Sequence, residues 1–85
     1  MLVVIHALNK IIVKKEIENI SLPGPNGKIL ICKEHFPTVT LLSSGEIVMQ
    51  NTRGEKTKMY ITKGSAKIFS GTVSIYTNSD ILLFE

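Results

Sequence analysis

Three features of the 85-residue sequence predict an all-β fold. Short runs of apolar and β-branched residues recur at a spacing of roughly eight to twelve residues, separated by Gly, Pro, Asn and Ser. No stretch carries apolar residues at helical spacing (i, i+3, i+4, i+7) together with helix caps. Residues 21–37, SLPGPNGKILICKEHFP, read as a turn cluster, a short apolar strand and a polar stop. Proline restricts φ there, and Asn26-Gly27 suits a tight reversal, with Gly24 and Gly27 free to take positive φ. The run Ile29-Leu30-Ile31-Cys32 between these signals predicts a strand buried on both faces.

In chain order, residues 2–8 form a strand with Val3, Ile5 and Ala7 on one face and Leu2, Val4, His6 and Leu8 on the other. Both faces are apolar, which places it inside a sheet. After Asn9-Lys10, Ile11-Ile12-Val13 starts a second strand that ends in Lys14-Lys15-Glu16. The step from Ile17 to Ile20 breaks strict alternation and predicts an irregularity near Glu18-Asn19.

Beyond Pro37, residues 38–42 are β-branched and apolar, and Ser43-Ser44-Gly45 turns the chain. Ile47 and Met49 then alternate with Glu46, Val48 and Gln50. A polar hairpin loop at residues 51–55 leads to Thr57, Met59 and Ile61 alternating with Lys56, Lys58, Tyr60 and Thr62. Lys63-Gly64 and Ser70-Gly71 punctuate two further strands, with Ala66, Ile68, Val73 and Ile75 inward. Residues 77–80 close the last of these before an apolar strand at 81–85 whose two faces both need cover. The spacing predicts roughly nine or ten strands in a sandwich or barrel.

The length predicts one domain over residues 1–85 with a modest core. A hydrophobic content of 44% with 20% charge excludes disorder, and no apolar run reaches the length of a membrane-spanning helix. The opening residues lack the features of a signal peptide, so a soluble intracellular protein is expected. Cys32 is the only cysteine; in an apolar run it is expected as a small core residue. The net charge of +3 rests on lysine, with Arg53 the single arginine. Without clustered arginine and aromatic residues, phosphate and base recognition has little support.

No catalytic constellation is present. His6, His35, Cys32 and the carboxylates have no recognised metal-ligand spacing, so no metal is expected. Glu34-His35 lacks a nucleophile with an orienting partner, and residues 24–27 lack the Lys-Ser/Thr ending of a phosphate-binding loop. A small β domain without an active site works by contact with another macromolecule. An alternative is a small basic β-barrel that binds nucleic acid through Lys14-Lys15 and Lys56/Lys58, with Tyr60 and Tyr76 as its stacking candidates.

The turn pattern resembles the epsilon subunit of F-type ATP synthases, called delta in mitochondria. That family shows Leu-Pro-Gly, two variable residues and Gly, then Gly-Ile-Leu-Pro-Gly-His-Ala-Pro-Leu. Here Leu22-Pro23-Gly24, Gly27, Ile31, His35 and Pro37 stand at matching spacing. Thr40, Leu42 and Gly45 fit a second element, Gly64 a third, and Thr72-Val73-Ser74-Ile75 the last sandwich strands. Leu30 replaces the usual glycine before Ile31, and Lys33-Glu34 replace Pro-Gly. Lys28 stands where some members carry an acidic residue.

The resemblance implies a ten-stranded antiparallel β-sandwich of two five-stranded sheets. Its partners would be the gamma subunit and the c-ring of the synthase, with no nucleic acid. The protein would be a non-catalytic rotor subunit, peripheral on the cytoplasmic side of the bacterial inner membrane, with no cofactor. Lys28, Glu34 and His35 would face the c-ring, and another sheet surface, with no residues assigned, would pack on gamma. Pro23, Gly24, Gly27, Pro37, Gly45 and Gly64 would serve the turns. The sequence stops before the helical hairpin associated in the family with inhibition of hydrolysis and with ATP binding, so neither activity is expected in residues 1–85.

Overall fold

The computed structural model describes residues 1–7, 10–32, 37–77 and 82–84. Ten strands follow one another: β1 (Leu2–Ala7), β2 (Lys10–Glu16), β3 (Asn19–Gly24), β4 (Gly27–Cys32), β5 (Thr38–Leu42), β6 (Gly45–Gln50), β7 (Lys56–Ile61), β8 (Gly64–Phe69), β9 (Thr72–Thr77) and β10 (Leu82–Phe84). They form two five-stranded sheets, in the order β2-β1-β9-β8-β5 and β10-β7-β6-β3-β4. We call these the first and second sheets. The expected all-β sandwich is the observed fold, and all regular elements among the described residues are strands.

The core lies between the sheets, where alternate residues of each strand converge. Val3, Ile5, Ala66, Ile68, Val73 and Ile75 come from the first sheet, and Ile20, Leu22, Ile31, Ile47, Met49, Met59 and Ile61 from the second. Alternation alone puts these residues inside, because strand side chains have a period of two. Each fully buried Ile or Leu stabilises the fold by about 1.5–3 kcal/mol relative to its exposed state.

One ladder departs from the antiparallel pattern. β1 lies between β2 and β9, antiparallel to the first and parallel to the second, with Val3 opposite Val73 and Ile5 opposite Ile75. The chain crosses between the sheets at Ile17. Its amide donates to the Met1 carbonyl at 2.8 Å, and the Glu18 amide donates to the Gln50 carbonyl of the second sheet at 2.8 Å. The irregularity expected near Glu18-Asn19 is therefore a sheet switch. The offset within a ladder sits earlier, where β2 passes over Ile12 between the pairs Ile5/Val13 and His6/Ile11.

Two expectations about β4 are corrected. The strand is an edge, paired among the described residues with β3, and the sandwich has two layers, so the first sheet covers one of its faces; Ile31 is inside while Leu30 is 62% exposed. Cys32 follows Leu30 on the outward face and is exposed rather than a core residue. An apolar run does not show whether one layer or two will cover a strand, because the covering layer is built from distant strands.

Candidate docking surface

The β3–β4 hairpin reverses over Pro25-Asn26, with Gly24 opposite Gly27. Gly27 has φ +122°, a conformation that side chains rarely adopt. Gly24 does not take positive φ; its constraint is space, since a Cβ there would stand 2.7 Å from Ile29 Cδ1 and 2.8 Å from the Gly27 carbonyl oxygen. Pro23, expected in the turn, is a residue of β3 opposite Lys28. The β3–β6 ladder ends at Ser21, so the missing proline N–H costs no bond on that side. The Pro23 carbonyl accepts from the Ser43 amide at 2.8 Å.

Gly45 and Gly64 open β6 and β8. A Cβ on Gly45 would meet Pro23 Cβ at 2.7 Å. Pro37 is exposed and immediately precedes β5.

Beside the hairpin lies an open groove of about 300 Å³, lined by Gly24, Pro25, Asn26, Gly27, Lys28, Ile29 and Thr40. Lys28 is exposed along it. Glu34 and His35, expected to share this end, lie outside the described residues. No three His, Cys, Asp or Glu residues among those described are grouped to hold a metal ion, and no described helix is long and apolar enough to cross a membrane.

The outward face of the first sheet is more unusual. The ladder registers arrange its residues in cross-strand rows. One row runs Ile11, His6, Tyr76, Ser65, Leu41; the next runs Lys14, Val4, Ser74, Lys67, Val39; a third runs Glu16, Leu2, Thr72, Phe69. Five large apolar residues of this face are substantially exposed: Ile11 60%, Val39 76%, Leu41 72%, Phe69 59% and Tyr76 46%. His6 stacks on Tyr76 with centroids 4.7 Å apart and planes 10° apart. Lys67 Nζ lies 5.9 Å from the centre of the Phe69 ring. Ser65, Ser74, Lys67 and Thr72 stand between these residues in the rows, so the face is a mixed one whose exposed apolar residues make it a candidate interaction surface.

The outward face of the second sheet is mixed, with Lys28, Leu30 and Cys32 on β4, Glu46, Val48 and Gln50 on β6, and Lys56, Lys58 and Tyr60 on β7. This arrangement bears on the nucleic-acid alternative. Tyr60 and Tyr76 belong to different sheets, and Lys14 and Lys15 point apart. Lys15 is part-buried and its Nζ donates to Thr57 Oγ1 across the sandwich at 3.0 Å. The lysines and tyrosines thus form no common stacking groove.

The residues missed by sequence reasoning are those of the apolar face. Their signal was present in β1, where Leu2 and Val4 oppose Val3 and Ile5, and in β5, where Val39 and Leu41 alternate with Thr38 and Thr40. In both strands the residues facing away from the core are also apolar.

Fold and surface together define a small two-sheet β-sandwich with an exposed, partly apolar sheet face. A family model described as "ATP synthase, Delta/Epsilon chain, beta-sandwich domain" matches residues 1–82. The chain belongs to this family. It is 36% identical over 66 residues to the chloroplastic ATP synthase epsilon chain of Euglena gracilis, covering 76% of this chain and 49% of that one. It is also 36% identical over 67 residues to the ATP synthase epsilon chain of Koribacter versatilis, covering 79% and 46% respectively. The mitochondrial ATP synthase subunit delta of Pichia angusta is 29% identical over 62 residues, covering 73% and 39%.

The chain thus spans less than half the length of these relatives. A chain in the Euglena gracilis mitochondrial ATP synthase structure superposes with a TM-score of 0.87 at 23% identity, over 95% of this chain and 51% of that chain. One in the Tetrahymena thermophila central stalk and c-ring structure gives 0.74 at 15% identity, over 99% and 65%. These two similarities establish the fold.

Proposed function

We propose that this chain is a non-catalytic central-stalk subunit of an F-type ATP synthase that couples the gamma subunit to the c-ring. The observation that carries the reading is membership of the delta/epsilon sandwich family across residues 1–82. The role is mechanical. Torque must pass through contact surfaces without the sandwich shearing, and two sheets joined by a continuous apolar core supply that stiffness.

The apolar outward face of the first sheet is the surface we assign to gamma. Among the described residues it carries most of the exposed large apolar side chains, Ile11, Val39, Leu41, Phe69 and Tyr76, which suits a lasting interface. The β3–β4 tip and the loop to Pro37, with Lys28, Glu34 and His35, would meet the c-ring. Similarity to the Koribacter chain supports a peripheral position on the cytoplasmic side of a bacterial inner membrane.

Co-expression with the cognate gamma subunit, followed by size-exclusion chromatography, tests the assignment. A one-to-one complex is expected. Leu41→Asp should weaken it by at least about tenfold, since burying an unpaired carboxylate in an apolar interface is costly. His35→Ala should leave gamma binding nearly unchanged. No complex with a folded gamma would refute the rotor reading; equal loss with both variants would refute the division into two surfaces.

A further inference from the structure

The four edge strands of the sandwich are not equivalent. β2 carries Lys10, Lys14, Lys15 and Glu16, and its ladder with β1 is offset at Ile12. β4 carries Lys28 next to its turn, and β10 has only three residues. Edge charges, bulges and short length are the devices that keep a sheet edge from pairing with another chain. β5 has none of them. Its sequence, Thr-Val-Thr-Leu-Leu, contains no charge, glycine or proline, and its ladder with β8 runs from Thr38/Ile68 to Leu42/Gly64 without an offset.

β5 also combines high strand propensity with exposure. Val39 and Leu41 are the most exposed of the large apolar residues described, and both belong to the rows of the first sheet's outward face. Among the described residues, no strand pairs with β5 on the side away from β8. A partner covering that face therefore meets a sheet edge that is ready to accept another strand.

We infer that β5 accepts an added β-strand: an extended apolar segment of the gamma subunit pairs with its edge and makes the first sheet six-stranded across the interface. This inference rests on the rotor reading above and assigns a recognition mode to that contact. Main-chain hydrogen bonds supply affinity, and alternate side chains of the added strand extend the rows of Val39 and Leu41.

Continuity with the face assigned to gamma selects gamma over a second copy of this chain. Lys67 stands opposite Val39 on β8, and Lys28 lines the groove shared with Thr40. A strand that is apolar towards Val39 and Leu41 and carries carboxylates at its flanks complements them.

Amide hydrogen exchange of the 85-residue chain, free and saturated with purified gamma, tests the inference. Strand addition should slow the edge-facing amides of residues 39–42 by at least about tenfold. Val39→Lys, an edge charge of the kind β2 and β4 already carry, should weaken binding by about tenfold and abolish this protection, with an unchanged circular dichroism spectrum. If gamma binds and those amides exchange as in the free chain, strand addition is overturned and the rotor reading stands. If gamma does not bind the folded chain, both fall. Protection that appears without gamma and grows with protein concentration would identify a second copy as the occupant and overturn the assignment to gamma.

Discussion

Gly64 is where one methyl group should cost most. A Cβ at this position would stand 2.5 Å from the Tyr76 carbonyl oxygen and 3.4 Å from Thr77 Cβ. Ordinary contact begins near 3.4 Å, so relief requires a separation of roughly 0.9 Å between the start of β8 and the end of β9. The obstructing atom is main chain and cannot rotate away. Separation there would also strain the bond from Thr77 Oγ1 to the Lys63 carbonyl, 2.6 Å long.

Overpacking of this kind costs about 1–3 kcal/mol, and a lost hydrogen bond adds about 0.5–1.5 kcal/mol. The reduced entropy of the unfolded chain returns about 0.4–1 kcal/mol for Gly→Ala. Gly64→Ala should therefore destabilise the fold by about 0.5–4 kcal/mol, with the middle of the range at about 2 kcal/mol. A urea slope of about 1 kcal/mol per molar for a chain this small converts that middle value to a midpoint lowered by about 2 M. The assay is equilibrium unfolding followed by circular dichroism, with Lys28→Ala as an exposed control expected to stay within about 0.5 kcal/mol. A Gly64→Ala midpoint equal to the control's, with the same slope, would refute the close-approach explanation.

Other substitutions separate the core from the surface. Ile31→Ala should cost about 2–5 kcal/mol because Ile31 is fully buried, whereas Leu30→Ala should stay below about 1 kcal/mol; similar losses in urea unfolding would contradict the outward placement of Leu30. Asn51→Ala should cost about 1–2 kcal/mol, since the Asn51 Oδ1 accepts from the amides of Arg53 at 2.9 Å and Glu55 at 3.0 Å and so ties the β6–β7 loop. An unchanged midpoint would mean that water replaces those bonds at no cost. Cys32 should react with a thiol reagent in the native chain at nearly the unfolded-state rate, because it is exposed; strong native protection would return it to the core.

Strand positions were legible because alternation and turn chemistry are local. β6 and β7 illustrate this. Ile47, Met49, Met59 and Ile61 are spaced two apart, and residues 51–55 supply the loop, so both the inward face and the connection follow from neighbouring residues. The partners of β1 were not legible in the same way. Its parallel pairing with β9 joins residues some seventy positions apart, from Leu2/Thr72 to Ala7/Thr77, and nothing within either strand specifies that choice. The misreading of Cys32 has the same origin: burial depends on how many sheets cover a strand, which is a property of topology.

The candidate surface was half legible. The glycine and proline spacing around residues 22–37 identifies the hairpin because tight reversals restrict residue type. The surface proposed to meet gamma has no such signature. Its apolar residues lie on β1, β2, β5, β8 and β9, and they converge only when the sheet forms.

The same convergence explains the pattern of β1. A strand at one layer of a two-layer sandwich should alternate apolar and polar residues, yet β1 places Leu2 and Val4 outward as well as Val3 and Ile5 inward. Apolar residues on both faces are expected of a strand covered on both sides. Among the described residues one cover is present, the second sheet. A partner on the outward face would supply the other and turn the first sheet into the middle layer of three. The edge at β5 would then lie at the margin of that middle layer, which is where an added strand gains both main-chain pairing and a covered apolar face.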